Sequence, residues 1–479
     1  MLFASLGLIA SPVLSQTAQF RPAVNAQVAA ARKVAPALGV HILELASGEA
    51  KYTYNADTRR ILASNTKIIT SAVALDRLGP AYSFETEILV RGELVDGTLN
   101  GTLAVLGGGD PSLSGRHYQG DPYGPFREWA AALEQAGIRR VEGDLLLVDG
   151  IFDDELVHPD WPKDQLSRWY EAPVSGLSFN DNCVLVKVNP GALPGQKARV
   201  ETVPELPIFE VESSATITSR ANQQWLKIDR RTTPGEEHVL TVAGRLYRRS
   251  EPRDAWVTVA DPLAYFGVAL RAALIEEGIF VTGRILASER LPRDERVWRR
   301  VTTHRSDLLT ILEVVNKRSQ NFYAESVLKL LGAEMCGRGS WSEGLKVARE
   351  LLSEVGIPDG SYRLADGSGM SRNNTFTPEQ LTRLLRHMYF HEWGKEYLAT
   401  LPASGERDLS WRKRLASSRY RGRVRAKTGY LSGVSTLSGY ATARSGKTYA
   451  FSILLNSIRG LNQAKTAQDR IVRALIDHG

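Results

Sequence analysis

The spacing of hydrophobic and polar positions predicts helices and short strands at the start of the chain. Residues 25–38 have helical spacing, and residues 39–55 have the pattern of two short strands. A second helix is predicted over residues 68–78, where Gly79 and Pro80 stop it.

The pattern of predicted elements changes after residue 84 and changes back after residue 298. Between them, short alternating runs and turn residues predict mostly strands, with helices only near residues 123–135 and 262–277. Beyond residue 308 the pattern predicts three helices, then three strands, then a closing helix at 308–331, 342–355, 377–389, 423–426, 435–442, 448–455 and 461–477. The pattern therefore predicts an α+β body built from both ends of the chain, interrupted by a long, mostly β insertion.

Length and composition support a folded protein of two or three domains. The chain has 479 residues, 43% of them hydrophobic, and a net charge of +7. Its basic residues are scattered and accompany no aromatic-basic module, so we expect no nucleic-acid partner. The eight histidines are dispersed, and we expect neither a metal site nor a cofactor. Cys183 and Cys336 lack metal-ligand spacing, and two buried thiols are expected, although a disulfide remains an alternative.

The N-terminal stretch, residues 1–15, is apolar, uncharged and too short to span a bilayer. It is typical of the apolar core and cleavage region of a secretory signal, but the usual basic residue before that core is absent. Other stretches do not reach transmembrane length. We therefore expect an exported protein with no transmembrane segment, located in the periplasm or otherwise outside the cytoplasm.

Candidate chemistry begins with Ser64 and Lys67. Residues three apart share one face of a helix, so the Lys67 amine can meet the Ser64 hydroxyl. The start of a helix also favours developing negative charge. Ser64 is thus a candidate nucleophile with a base one turn away.

Two further motifs and one loop bear on that pair. Ser319, Gln320 and Asn321 form a Ser-x-Asn in a helical stretch, and Lys427, Thr428 and Gly429 follow a short predicted strand. A glycine-rich loop runs from Asp366 to Arg372, in which Asp366 is either a turn former or part of a site wall. Each motif is weak alone, but Ser-x-x-Lys, Ser-x-Asn and Lys-Thr-Gly in this order resemble the set found in serine penicillin-recognising enzymes.

With the long gap between Ser64 and Ser319, the chain resembles the class C low-molecular-mass penicillin-binding proteins, the D-alanyl-D-alanine carboxypeptidase/endopeptidase family. The resemblance implies a serine transpeptidase-like (β-lactamase-like) domain with an antiparallel sheet and helices. That domain would comprise residues 16–84 and 299–479. An inserted domain of residues 85–191 and 259–298 would carry a second, β-rich one of residues 192–258.

The resemblance also implies a role for each motif residue. Ser64 would attack the penultimate D-alanine carbonyl, Lys67 would accept its proton, and Ser319 would relay a proton to the leaving amine. The remaining implied roles belong to substrate binding. Asn321 would hydrogen-bond the substrate amide, Lys427 and Thr428 would hold the terminal carboxylate, and Gly429 would leave space for the substrate backbone. The backbone N–H groups of Ser64 and Tyr430 would bind the oxyanion. Related enzymes often carry Thr or Ser where this chain has Tyr430.

The expected activity is an exported D-Ala-D-Ala carboxypeptidase or D,D-endopeptidase that acts on peptidoglycan stem peptides and is acylated by β-lactam antibiotics. Two alternatives remain open at this point. One is a β-lactamase or esterase of the same superfamily, and the other is a catalytically silent wall-binding protein. The sequence does not determine the oligomeric state.

Overall fold

Helices and sheets occur along the chain as the α+β pattern predicts. The structure is a computed structural model that describes residues 12–292, 297–407 and 409–479. Its helices are α1 Pro12–Arg32, α2 Thr66–Leu78, α3 Gly124–Gln135, α4 Pro262–Glu276, α5 Leu308–Glu313, α6 Asn321–Cys336, α7 Trp341–Glu354, α8 Pro378–Phe390, α9 Gly394–Thr400 and α10 Leu461–His478. Its strands are β1 Ala37–Glu44, β2 Ala50–Tyr54, β3 Arg60–Ile61, β4 Ser83–Val95, β5 Thr98–Leu106, β6 Arg140–Glu142, β7 Leu145–Val148, β8 Cys183–Asn189, β9 Arg199–Val203, β10 Glu210–Ser213, β11 Thr216–Thr218, β12 Trp225–Arg230, β13 Val239–Tyr247, β14 Arg253–Thr258, β15 Phe280–Val281, β16 Ile285–Ser288, β17 Arg299–Asp307, β18 Thr375–Phe376, β19 Val424–Leu431, β20 Val434–Thr442 and β21 Thr448–Asn456.

The first predicted helix is the clearest misplacement. The helix α1 ends at Arg32, and Ala37 and Leu38, expected to be helical, begin β1 instead. Pro36 explains the change, because proline disfavours the helical conformation of the residue before it and cannot donate a helical hydrogen bond. The expected signal peptide comprises residues 1–15. Residues 1–11 lie outside the described residues, and Pro12 to Ser15 belong to α1.

The chain forms two compact units. The first contains residues up to Pro80, Leu312–Ser319 and Val347–Gly479. The second contains Ala81–Ile311 and Gln320–Lys346. The three-part division into a catalytic domain and two inserted domains stays a prediction.

A five-stranded sheet in the order β19-β20-β21-β1-β2 organises the first unit, and each neighbouring pair is antiparallel. One face is covered by α1 and α10, whose Val28 and Ile471 share a core with Val40 and Ile42 of β1. The other face meets α8, where His41 of β1 lies 2.5 Å from the Thr382 hydroxyl. Because side chains alternate along a strand, β1 serves both cores.

The predicted helix over residues 308–331 is interrupted. After α5, residues Val314–Arg318 form a π-helical turn, and Ser319 adopts a left-handed conformation (φ 60°, ψ 33°) before α6 begins at Asn321. Buried Asn316 ties this turn to α2 and α9, since its Nδ2 donates to the hydroxyls of Ser71 and Thr400, both at 2.9 Å. A π turn is frequent at functional sites, and here it ends at a motif serine.

The second unit is built on a larger sheet. Its strands run in the order β15-β6-β5-β4-β17, and β7 pairs with β5 and β16. The helices α3 and α4 cover one face, with Trp129 and Phe266 in the same buried core as Val105 and Leu147. A separate small core lies among β8 to β14, around Val186 and Leu240. The strands β9 to β14 lie within residues 192–258, where the alternating pattern predicted short strands, and β8 precedes that range.

The cysteines and the helix lengths bear on two further expectations. Cys183 is buried and Cys336 is exposed at the end of α6, so the expectation of two buried thiols is wrong for Cys336. Among the described residues, none of the helices combines the length and apolar character needed to cross a membrane.

We predict that Asn316→Ala lowers the free energy of unfolding by about 1–3 kcal/mol, because it leaves two buried hydroxyls without their donor. Urea unfolding measures this change. The control is Asn462→Ala at an exposed position of α10, which is expected to change stability by less than about 0.5 kcal/mol. Equal effects of the two substitutions would contradict the anchoring role of Asn316.

Candidate active site

Ser64 lies in a short 3₁₀ turn, Ala63–Asn65, which runs directly into α2. Lys67, in the first turn of α2, is fully buried, and its Nζ is 3.2 Å from the Ser64 Oγ. The same Nζ donates to the carbonyl of Ser368 at 2.7 Å. Ala63 has a positive φ of 47°, which is unusual for a residue with a side chain. The fold therefore holds a hydroxyl and an amine in hydrogen-bonding contact at a strained turn.

The glycine-rich loop supplies the carbonyl that Lys67 contacts. Asp366 shapes this loop because its carboxylate accepts from the N–H groups of Gly369 and Ser371, at 2.7 and 2.6 Å, and from Asn374 Nδ2 at 2.8 Å. Gly369 has a φ of 85°, and a Cβ there would collide with the Ala63 carbonyl. Of the two roles considered for Asp366, these bonds favour the turn former.

Ser319 and Lys427 form a second serine–lysine contact in the first unit. Lys427 is buried, and its Nζ donates to Ser319 Oγ at 2.8 Å and to the Thr428 carbonyl at 2.9 Å. The left-handed conformation of Ser319 ends the π turn, so the break in the predicted helix places this hydroxyl.

The sequence pattern predicted that Lys427, Thr428 and Gly429 follow a strand. They lie inside β19 instead, so this prediction is wrong. The strand is at the edge of the five-stranded sheet. The segment 402–404 covers the start of that edge, because Ala426 N–H donates to the Pro402 carbonyl at 3.1 Å and Ser404 N–H to the Val424 carbonyl at 2.9 Å. Backbone groups alternate sides along an antiparallel strand, so the N–H groups of Thr428 and Tyr430 point to the same outer side as that of Ala426.

Gly429 brings this strand against the nucleophile. A Cβ at Gly429 would lie 2.9 Å from the backbone nitrogen of Ser64 and would collide with the Thr436 hydroxyl. Asn65 adds a direct link, since its Nδ2 donates to the Lys427 carbonyl at 2.8 Å and its Oδ1 accepts from Ser438 at 2.8 Å. Gly429 therefore lies beside the N–H of Ser64, and the next residue, Tyr430, directs its own N–H to the outer side of β19.

The pKa of the Lys427 amine lies well below its ordinary value, because burial disfavours its charged form and the neighbouring Lys67 repels it. Because two neighbouring ammonium groups repel each other, the arrangement favours loss of a proton from the pair. A neutral amine is the form that a proton acceptor requires.

Asn321, the last of the predicted site residues, begins α6 and is counted with the second unit. It is buried, and its Nδ2 donates to the carbonyl of Tyr170 at 2.8 Å. The structure thus brings seven of the predicted residues together within the first unit: Ser64, Lys67, Ser319, Lys427, Thr428, Gly429 and Tyr430.

Sequence reasoning missed Asn65 and the Ser368 carbonyl. Asn65 stands inside the Ser-x-x-Lys motif, in one of its two variable positions, and its burial next to Lys427 is a long-range contact. The acceptor at Ser368 is a backbone carbonyl, which every residue has, so the residue type at this position does not indicate the contact. The aspartate-and-glycine pattern of the loop was the available hint.

One histidine pair was also missed. His387 and His391 are four apart on α8 and at its end, and Asp76 lies next to them with ligand atoms within 4.8 Å of one another. The Asp76 Oδ1 is 3.2 Å from His391 Nε2, while His391 Nδ1 accepts from Trp393 N–H at 3.1 Å. That second bond leaves the proton on Nε2, so this cluster fits a histidine–aspartate hydrogen bond better than a metal site.

Comparison with known proteins gives concordant results. Residues 23–477 match the family model described as the D-Ala-D-Ala carboxypeptidase 3 (S13) family. The D-alanyl-D-alanine carboxypeptidase of Actinomadura sp. (strain R39) is 33% identical over 439 residues, covering 88% of this chain and 78% of that protein. The D-alanyl-D-alanine carboxypeptidase DacB of Haemophilus influenzae is 27% identical over 424 residues, covering 88% and 85%.

Solved structures agree on the fold. The crystal structure of penicillin binding protein 4 (dacB) from Haemophilus influenzae matches with a TM-score of 0.80 at 24% identity, covering 93% of this chain and 97% of that one. This likeness confirms the predicted fold class. The family match spans nearly the whole sequence, and the chain belongs to the D-Ala-D-Ala carboxypeptidase 3 (S13) family, as its three motifs predicted.

Proposed function

We propose that this serine D-Ala-D-Ala carboxypeptidase works through an acyl-enzyme on Ser64 and also acts as a D,D-endopeptidase on peptidoglycan stem peptides outside the cytoplasm. The observation that carries the proposal is the contact of Lys67 Nζ with Ser64 Oγ at 3.2 Å, beside a second buried lysine. Family membership favours this activity over a β-lactamase, an esterase or a silent wall-binding protein.

The steps follow from the placement of these groups. Ser64 Oγ attacks the carbonyl carbon of the penultimate D-alanine while a neutral Lys67 takes its proton. The outward N–H of Tyr430 and the N–H of Ser64 stabilise the oxyanion. The C–N bond then breaks, the leaving D-alanine amine receives a proton through Ser319, and water hydrolyses the Ser64 ester.

Substrate binding is assigned to the edge strand and to Asn321. Lys427 and Thr428 are proposed to hold the terminal carboxylate, an anion whose charge suits an ammonium. An extended peptide can pair with the outer side of β19 only beyond Ala426, since the segment 402–404 covers the earlier part. Gly429 allows β19 to lie close to Ser64 and is also proposed to leave space for the substrate backbone. Asn321 is proposed to bind the substrate amide.

We predict that a labelled penicillin acylates the native chain at Ser64 and that Ser64→Ala takes up no covalent label. Ser319→Ala is the matched control, because it removes a site hydroxyl but leaves the nucleophile, so it is expected to be labelled more slowly. Gel fluorescence measures both, and a long-lived adduct separates this enzyme from a β-lactamase. Labelling of Ser64→Ala equal to the native chain would contradict the proposal.

Digestion of purified cross-linked and uncross-linked muropeptides tests the two peptidase activities. Loss of one D-alanine from the uncross-linked substrate and cleavage of the cross-linked one are both expected, and mass spectrometry identifies the products. If the cross-linked muropeptide stays intact, the endopeptidase part of the proposal fails.

We predict that substrate binding takes up a proton. Burial and the neighbouring Lys67 lower the pKa of Lys427 in the free enzyme, whereas a bound carboxylate raises it. Binding should therefore weaken as pH rises through the free-enzyme pKa, below the ordinary lysine value. Titration calorimetry of Ser64→Ala with a D-Ala-D-Ala peptide, in two buffers of different ionisation enthalpy, measures the proton uptake. The same peptide with an amidated C-terminus is the control and should take up none.

A further inference from the structure

The middle residue of the Ser-x-Asn motif, Gln320, is held by the second unit. Gln320 is buried, and its Oε1 accepts from the Asn321 N–H at 3.1 Å, which caps the first turn of α6. Its Nε2 donates to Asp181 Oδ2 at 2.8 Å. One side chain thus joins the start of α6 to a carboxylate about 140 positions earlier in the chain.

Asp181 is itself fixed on both sides. Arg116 forms an ion pair with the same Oδ2, and its guanidinium lies 5.7 Å from the ring centre of Tyr323 in α6. Asn180, Asp181 and Asn182 have positive φ angles of 54°, 58° and 49°. Three successive left-handed residues are unfavourable and persist only where the surroundings determine them, which is common near functional sites.

A neighbouring contact holds Asn321 in a similar way. The loop that carries Asp181 also carries Tyr170, whose carbonyl accepts from Asn321 Nδ2 at 2.8 Å. Both residues that follow Ser319 are therefore bonded to the segment 170–181. The peptide bond between Ser319 and Gln320 joins this anchored pair to the residue that contacts Lys427.

We propose that Asp181, paired with Arg116, is a positioning residue for the Ser-x-Asn motif: through Gln320 it fixes the start of α6 and so the orientation of Asn321 and Ser319. The inference rests on the proposed function, since it assigns Ser319 and Asn321 to the reaction. It gives the segment 170–181 a part in turnover, through Ser319, as well as in substrate binding, through Asn321.

The polarity of the Gln320–Asp181 bond can be reversed without changing its size. Gln320→Glu puts two carboxylates together and should lower turnover about tenfold or more. Asp181→Asn keeps the shape but loses the charge on the shared oxygen, so its loss should be smaller. In the double variant, the amide introduced at position 181 donates to the carboxylate introduced at position 320, which still accepts from the Asn321 N–H. Part of the loss should be recovered, because the amide nitrogen then occupies the position where Asp181 Oδ2 accepted from Arg116.

The readout is kcat per active site, with sites counted by labelled penicillin. A role confined to folding would lower the count of labelled sites but leave the rate per site unchanged. We expect the reverse: near-full labelling, a reduced kcat on a D-Ala-D-Ala peptide because Ser319 is misoriented, and a raised KM because Asn321 is. The matched control is Glu87→Gln, which removes a carboxylate from an arginine pair, Glu87 and Arg300 at 2.6 Å, in the same unit.

Three results would overturn the inference. They are an unchanged rate per labelled site in Gln320→Glu, no recovery in the double variant, and equal effects of Asp181→Asn and Glu87→Gln. A native chain that takes up no penicillin would instead refute the proposed function. If either single variant fails to fold, Arg116→Gln tests the same carboxylate by removing its partner.

Discussion

The burial of two lysine amines beside two serine hydroxyls is the constraint on which the first unit depends. An amine in a water-poor site is costly unless oxygen acceptors surround it. The Ser368 carbonyl meets Lys67, and the Thr428 carbonyl meets Lys427. The glycine-rich loop and the edge strand β19 thus stabilise the two buried amines by supplying these acceptors.

Glycine enables that arrangement at two positions. Gly369 lets the loop pass against Ala63, and Gly429 lets the strand pass against Ser64. Side chains at either position would separate the backbone groups that must meet. The three elements of the site are therefore joined by close backbone approach as much as by hydrogen bonds.

Much of this site could be predicted from the sequence because its side chains follow short-range rules. The spacing of Ser64 and Lys67 places them on one helical face, and the order of the three motifs supplied Ser319 and Lys427. The break at Ser319 could not be predicted, since the residues around it have ordinary helical patterning. Its left-handed conformation depends on contacts distant in sequence, such as those of Asn316.

The sheet was predictable to a similar limit. The patterns at 435–442 and 448–455 located β20 and β21 to within one residue, because short runs rich in apolar residues and bounded by turn residues are typical of strands buried on both faces. They did not extend β19 through Lys427 to Leu431, since Gly429 is also typical of a turn. Only the pairing with β20 assigns these residues to a strand.

The open outer edge of β19 has a consequence for self-association. An unpaired strand edge is a template on which any extended chain can assemble, and proteins commonly protect such edges with charge or by covering them. Here the segment 402–404 covers one half, and among the described residues no strand pairs with the outer side of the half that contains Lys427. A buried lysine amine at this edge disfavours the addition of an apolar strand, because the amine needs oxygen acceptors. Under the proposed function the same residue binds a peptide that ends in a carboxylate.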